Sequence, residues 1–258
     1  MTDGNEMFFL GTGFSKAIHP TMPTMEELSE GVRHHAEAPR ELGELFDEFG
    51  NDIELLLTFL SQPQPWISDQ HTLRNRVLFW DVTRLIGEVI ENSITNVTIG
   101  QIPEWLERLV TFGNESQSFV ITVNQNTLVE RAAAIGEIEL EHIYATPLPD
   151  VRRVTVSGSD PISTFSLFKL HGSVNWYYSG APSNEGEVIY LGRITPLNQP
   201  PGDHESESLF SAFDKFPLTV PPTSGKSAYF HHETVRANWR EAARSLMNAS
   251  SACCIGYS

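Results

Sequence analysis

The sequence has few cysteines and few basic residues, and each shortage excludes a class of protein. Its two cysteines, Cys253 and Cys254, are adjacent, so they form no disulfide framework, and no second cluster exists for a zinc site. The chain has 17 lysines and arginines against 33 aspartates and glutamates, a formal net charge of −16. Its densest basic patch is Arg152–Arg153, and a field of this sign repels nucleic acid and anionic membrane surfaces. We therefore expect neither as a partner.

Long apolar runs are also missing. No run approaches the roughly 18 apolar residues that a membrane-spanning helix needs. The first residues, MTDGNE, are polar, whereas a signal peptide has a basic segment followed by an apolar one. Hydrophobic residues nevertheless make up 40% of the chain, enough to build a core. We expect a cytoplasmic protein in which residues 1–258 form one domain.

The apolar pattern predicts strands and helices in the order typical of a parallel α/β sheet. Short apolar runs of the strand type occur at 6–10, 118–124, 139–145, 152–157, 164–170, 174–178, 188–193 and 252–258. Helical patterns at 126–134 and 232–250 alternate with them. The stretch 196–226 is rich in proline, serine, glycine and acidic residues, so we predict a long loop there.

Residues 25–112 have a helical pattern instead, which predicts an insertion or a cap over the sheet. Its helices are expected from about Met25, at 51–62, at 70–93 and at 102–112. Thr24 and Glu27 fit a capping box, and Asp52 is the expected cap of the second helix. The sequence stops just after its last strand, where open α/β sheets bind ligands. We therefore expect it to be the N-terminal part of a longer chain.

The first candidate site is the segment FFLGTGFSKAI at 8–18. A strand followed by Gly11, Gly13 and Ser15 is a pattern that lets a backbone turn approach a phosphate, because glycine has no Cβ. The third glycine of the full dinucleotide fingerprint is missing. A plain tight turn after the strand is the alternative.

Two later segments also place polar residues where strands end. Thr122, Asn124 and Asn126 offer the oriented donors and acceptors that a sugar needs, or Asn126 caps a helix while Thr122 satisfies a loop. His171 follows an apolar run and precedes Gly172. A neutral imidazole accepts a proton near physiological pH, although a histidine in this place, taken alone, is more often structural.

Taken in order, four segments resemble the motifs of the sirtuin-like family, over residues 8–258. They are Gly11-Thr12-Gly13-Phe14-Ser15, Thr122-Val123-Asn124-Gln125-Asn126, His171-Gly172-Ser173 and Gly256-Tyr257-Ser258. In that family the first segment holds the NAD phosphates and the second holds the nicotinamide ribose. The third carries the catalytic base, and the fourth helps to hold the adenosine side. The resemblance implies a Rossmann-like parallel sheet flanked by helices.

Within the family, the segments look most like the bacterial sirtuin-like domains of antiphage defence. Protein deacylases of the family carry a four-cysteine zinc module, which two cysteines cannot build. The resemblance therefore implies an NAD+ glycohydrolase that depletes NAD, uses it as substrate and needs no metal. It also implies self-association and a sensor domain or partner protein that triggers activity.

The resemblance implies Asn124 and His171 as the catalytic residues. The residues implied for NAD binding are Gly11, Thr12, Gly13, Phe14, Ser15, Thr122, Asn126, Gly256 and Ser258. Asn126 stands where the family has aspartate, and an asparagine brings no negative charge to the cationic pyridinium. A module that binds NAD or ADP-ribose with weakened or no turnover is the first alternative function. An NAD-dependent protein deacylase is the second.

Overall fold

A computed structural model of the chain describes residues 5–95, 97, 102–138, 143–144, 164–179, 189–192, 194, 196–197, 215–225 and 232–257. The predicted strand at 152–157, most of the one at 139–145, and Ser258 lie outside this part. The described strands are β1 (Glu6–Leu10), β2 (Phe119–Thr122), β3 (Ser166–Lys169), β4 (Gly172–Ser179), β5 (Ile189–Leu191), β6 (Lys215–Thr219) and β7 (Ser251–Ile255). The described helices are α1 (Thr12–Ile18), α2 (Met25–Arg33), α3 (Leu42–Glu48), α4 (Ile53–Ser61), α5 (Asp69–Thr95), α6 (Glu104–Glu115), α7 (Leu128–Ile135) and α8 (Glu233–Asn248).

Four strands form an all-parallel sheet in the order β3-β2-β1-β7, which confirms the predicted parallel α/β sheet and is a Rossmann-like arrangement. Side chains alternate between its two faces, as strand geometry requires. Met7 packs into a small cluster with Ala242 of α8 on one face, whereas Leu10 joins the large core on the other. Helices therefore flank the sheet on both sides.

The carboxyl ends of these strands are level with one another. Leu10 pairs with Thr122 on one side and with Ile255 on the other, and Thr122 pairs with Lys169. Segments that follow β1, β2, β3 and β7 must therefore leave the sheet at the same edge. This register brings sequence motifs that are far apart in the chain to one place.

The connection from β1 to β2 is helical and contains α1 to α6, so the predicted helical insertion is confirmed. The capping box is also confirmed, since Thr24 Oγ1 accepts from the Glu27 N–H at 3.3 Å and Glu27 Oε2 accepts from the Thr24 N–H at 2.8 Å. Asp52 caps α4 by accepting the N–H of Glu54 at 2.9 Å. Helices α1 and α3 were not predicted. Among the described residues, no helix combines the length and the apolar character that crossing a membrane requires.

A second, antiparallel sheet has the order β5-β4-β6. Its strand β6 corrects the prediction of one long loop at 196–226, which is wrong over Lys215–Thr219. Pro217 made this segment look like a loop, because proline cannot donate to a sheet. β6 lies at the edge of its sheet, where a proline is tolerated.

Candidate functional site

A cleft of about 230 Å³ opens beside the carboxyl edge of the parallel sheet, beneath the helical insertion. Its polar wall comes from the segments that follow β1, β2 and β3, and consists of Thr12, Ser15, Asn124, Gln125, Asn126 and His171. Its apolar wall comes mainly from helices α2 and α5 and the loop before α2, and includes Met22, Met25, Leu28, Ile86 and Ile90. The cleft thus brings together five of the residues predicted for the site, namely Thr12, Ser15, Asn124, Asn126 and His171.

Ser15, on the buried face of α1, is the hub of the polar wall. Its Oγ accepts from the Nδ2 of Asn124 at 3.0 Å and from the Nδ2 of Asn126 at 2.8 Å. Asn124 Nδ2 also donates to the Gly11 carbonyl at 2.7 Å. These two acceptors use both amide protons of Asn124 and fix its orientation, so its Oδ1 is the atom left to accept from a ligand.

Thr122 and Asn126 have the local roles that were the alternatives to ligand binding. The Thr122 hydroxyl donates to the Leu10 carbonyl at 2.9 Å and accepts from the Asn124 N–H at 3.0 Å, which joins the ends of β1 and β2. Thr122 is buried beneath the cleft rather than lining it. Asn126 Oδ1 accepts from the Leu128 N–H at 3.3 Å at the start of α7. Asn126 combines this role with a place in the cleft wall.

The turn after β1 packs tightly against the turn after β7. The N–H of Gly11 donates to the Ile255 carbonyl at 2.9 Å, and the N–H of Gly13 donates to the Gly256 carbonyl at 3.0 Å. Gly256 has φ +73°, and a Cβ there would lie 2.0 Å from the nitrogen of Phe14. Glycine is therefore required by the contact between the two turns themselves. Two of the N–H groups predicted to face a phosphate are engaged within the protein.

Phe14 differs from the other members of this turn because its side chain belongs to the core. It is 2% exposed, and its ring makes an edge contact with Trp105 at 5.6 Å between centroids. A ligand at this turn would meet the backbone of Phe14 rather than its ring. The turn therefore places Thr12, which is exposed, at the mouth of the cleft.

His171 lies between the two sheets and is half-buried in the cleft wall. The preceding residue still belongs to the parallel register, since the Leu170 N–H donates to the Thr122 carbonyl at 3.0 Å. The His171 carbonyl then accepts from the Val220 N–H at 2.8 Å, beside the antiparallel sheet. Gly172 follows with φ +70°, a conformation that favours glycine. His171 therefore lies where the chain passes from the parallel sheet to the antiparallel sheet, and backbone hydrogen bonds on both sides hold it there.

A buried polar cluster behind this wall was missed by the sequence analysis. Lys169 and Glu130 are 0% and 1% exposed and form an ion pair at 2.7 Å. Tyr144 donates to the same Glu130 oxygen at 3.1 Å. Burial lowers the pKa of Lys169 while Glu130 opposes that shift, and burial raises the pKa of Tyr144 well above its ordinary value. A lysine inside the apolar run TFSLFKL was the available signal.

The cleft has an acidic rather than a basic character. Glu54 is the one carboxylate among the described residues that line it, and these residues include no lysine or arginine. Lys16 on α1 is paired with Glu27 at 2.6 Å. Within the described ranges, no group of three or more histidine, cysteine, aspartate or glutamate side chains is arranged to hold a metal ion.

Comparison with known proteins does not assign the chain to a family. A scan against protein-family models found no match, and a search of the curated proteins found no significant match. Function is therefore inferred from the cleft and from the resemblance of its motifs.

Proposed function

We propose that this chain is an NAD+ glycohydrolase, which cleaves the bond between nicotinamide and ribose to give nicotinamide and ADP-ribose. The observation that carries the proposal is the meeting of Ser15, Asn124, Asn126 and His171 in one cleft. These residues follow three different parallel strands, and the carboxyl edge of such a sheet is where open α/β folds bind ligands. Their order and spacing are those that resemble the sirtuin-like motifs.

The size and charge of the cleft favour the nicotinamide end of NAD. Its volume of about 230 Å³ is slightly below the range of about 300–1,000 Å³ for pockets that enclose a whole drug-sized ligand. The carboxylate of Glu54 favours a cationic group, and the nicotinamide ring is the cationic part of NAD. The pyrophosphate would then extend past Thr12, without using the N–H groups of Gly11 and Gly13, which already donate to the carbonyls of Ile255 and Gly256.

Cleavage of this bond requires stabilisation of the sugar rather than of the leaving group. When the bond from C1′ to the ring nitrogen breaks, its electron pair goes to the ring, and nicotinamide leaves neutral. The sugar gains oxocarbenium character, as in glycoside hydrolysis. Asn124 Oδ1 accepts from a ribose hydroxyl or from the water that attacks C1′. His171 accepts the proton of that water, either directly or through a ribose hydroxyl.

The biological setting is proposed from the resemblance alone. In that setting the chain depletes NAD as an effector of bacterial antiphage defence. Self-association and a sensor domain or partner protein would then control when it acts.

A second candidate is a module that binds NAD or ADP-ribose without turnover. Asn126 favours it, because its amide is held by Ser15 and Leu128 and it gives the cleft no charge. Tight NAD binding without release of nicotinamide would identify this function. The two candidates share a binding site and differ in the chemical step.

The proposal is tested by incubating the chain with NAD and following free nicotinamide by chromatography. We expect His171→Ala and Asn124→Ala each to lower the rate by about 100-fold or more, because the first loses the general base and the second loses the group that orients the ribose or the water. His34→Ala, at an exposed histidine outside the cleft, is the matched control and should keep the wild-type rate. Thermal unfolding checks that each variant is folded. Equal release by wild type and folded His171→Ala would contradict the proposal.

A further inference from the structure

The ammonium group of Lys169 is completely buried, and each of its three protons has a close acceptor. Nζ lies 2.5 Å from the Asn126 carbonyl, 2.7 Å from Glu130 Oε1 and 2.7 Å from Ser173 Oγ. The Gln125 carbonyl is a more distant fourth neighbour at 3.5 Å. A lysine can donate three hydrogen bonds, so this environment satisfies it fully.

A contribution to stability does not by itself explain why a charged lysine is buried at this position. Removing two charges from water costs about as much as their attraction returns, and apolar replacements of buried pairs are often neutral or stabilising. The Lys169–Glu130 pair at 0% and 1% exposure bears this cost in full. What distinguishes Lys169 is the set of groups that it joins.

Lys169 connects the two segments that form the polar wall of the cleft. The Asn126 carbonyl belongs to the segment after β2, which carries Asn124. Ser173 lies at the start of β4, directly after the turn that carries His171. The Ser173 hydroxyl also donates to the Gln125 carbonyl at 3.3 Å. The Lys169 ammonium group therefore donates hydrogen bonds to both candidate catalytic segments, on the side that faces away from the cleft.

Further hydrogen bonds complete a circuit between the same two segments. The Val174 N–H donates to the Gln125 carbonyl at 2.9 Å, and Gln125 Nε2 donates to the Val220 carbonyl at 2.6 Å. The Val220 N–H in turn donates to the His171 carbonyl at 2.8 Å. The distance between the Asn124 segment and His171 thus depends on contacts that converge on Lys169 and Gln125.

We propose that Lys169 is a positioning residue, which fixes the segment Asn124–Asn126 against the segment His171–Ser173 at the start of β4. It does not line the cleft, so it acts through these residues rather than on the ligand. The consequence for catalysis rests on the proposed function. Misplacing reacting groups by about 1 Å can cost about 100-fold in rate, so loss of this link should reduce turnover more than binding.

The test compares Lys169→Met with the double variant Lys169→Met/Glu130→Gln. The single variant leaves the Glu130 carboxylate buried without its partner and should be less stable. The double variant removes both charges, keeps an acceptor for Tyr144, and should recover most of the stability. We expect its kcat for NAD to stay about 10- to 100-fold below wild type, with KM changed less than kcat. Recovery of kcat together with stability would overturn the positioning role.

A matched control removes another contact of the same cluster. Tyr144→Phe deletes the hydrogen bond to Glu130 but touches neither cleft segment, so it should keep kcat. Ser173→Ala removes one of the three Lys169 acceptors and remains informative where the lysine variants fail to fold. A folded Ser173→Ala chain with wild-type kcat and wild-type exchange at Val174 would also overturn the proposal.

Amide hydrogen exchange separates this inference from the proposed function, because it needs no NAD. The Val174 N–H bonds to Gln125 across the two segments, so its exchange should accelerate by about tenfold or more in the double variant. The Leu56 N–H in α4, which donates to the carbonyl of the cap residue Asp52, serves as the internal reference. If wild type releases no nicotinamide, the proposed function fails, while faster Val174 exchange still supports the link. Unchanged Val174 exchange in the folded double variant overturns the link itself.

Discussion

Asn126 is the residue that distinguishes the two functions proposed for this cleft. Its Nδ2 donates to Ser15 Oγ at 2.8 Å and its Oδ1 accepts from the Leu128 N–H at 3.3 Å. Aspartate has the same shape and could accept both from Leu128 and from the Ser15 hydroxyl. No acceptor in the described part of the chain takes that hydroxyl proton, so Asn126→Asp should change the stability of the fold little.

We therefore predict that Asn126→Asp raises the rate of nicotinamide release. The new carboxylate would face the cationic nicotinamide ring, and hydrogen bonds to charged groups contribute about 1.5–3 kcal/mol, which corresponds to about tenfold or more. The measurement is kcat/KM for NAD. Asn248→Asp, an exposed position on α8, adds the same charge elsewhere and should change nothing. A lower rate in Asn126→Asp would show that the amide is required.

At the scale of residues, the sequence predicted the residues that line the cleft better than the buried ion pair that lies behind them. Ser15, Asn124 and His171 follow recognisable strands, so their convergence could be predicted. Lys169 and Glu130 are 39 residues apart, and their meeting depends on the register of β3 and on the rotation of α7. No local pattern contains that information.

At the scale of elements, the start of α2 ties the helical insertion to the site. Glu27 completes the capping box with Thr24 and also pairs with Lys16 of α1 at 2.6 Å. Thr24 lines the cleft beside Ser15. This ion pair therefore links helices α1 and α2 beside the cleft.

The pKa of Glu27 is lowered, chiefly by its hydrogen bond to Lys16 and then by that to the Thr24 N–H. A carboxyl with a lowered pKa stabilises the fold above its ordinary pKa of about 4.3 and loses this effect as the pH falls through the lowered value. We predict that Glu27→Gln costs less than about 1 kcal/mol at neutral pH, as exposed pairs do, and nothing in strong acid. Urea unfolding at several pH values measures it.

Glu26→Gln, at the neighbouring exposed position of the same turn, is the control for this prediction. Its unfolding free energy should follow that of wild type at every pH. A difference between wild type and Glu27→Gln that stays constant from neutral pH into acid would contradict the assignment of the lowered pKa to folding.

Elements were predictable from sequence where their apolar pattern was long or their caps were explicit. Helices α4 and α5 and the capping box of α2 are examples. β6 was missed because Pro217 hides a strand whose place at a sheet edge is a tertiary property. Helices α1 and α3, each of seven residues, are too short to show a helical period.

At the scale of the whole molecule, strand order determines how the cleft is built. β1 and β2 are neighbours in the sheet, yet the connection between them contains six helices among the described residues. Part of that connection covers the polar edge with an apolar wall. The alternation of strands and helices predicted the sheet, whereas the second, antiparallel sheet arises from pairings that the sequence does not specify locally.

The net charge of −16 sets the conditions for any assay. The pyrophosphate of NAD is repelled by this field at low salt. Screening becomes effective at physiological ionic strength, where the Debye length is about 8 Å. Activity should therefore be measured at that salt concentration, where weak binding caused by repulsion is not mistaken for a missing chemical step.

The most direct measurement of the central claim is a single-turnover reaction at that salt, with the chain in excess over NAD. Excess chain reveals the chemical step even where Asn126 makes it slow. We predict that wild type converts NAD into equal amounts of nicotinamide and ADP-ribose, and that His171→Ala does so at a rate lower by about 100-fold or more. Intact NAD that is fully bound to wild type would contradict hydrolysis and identify the cleft as a binding site without turnover.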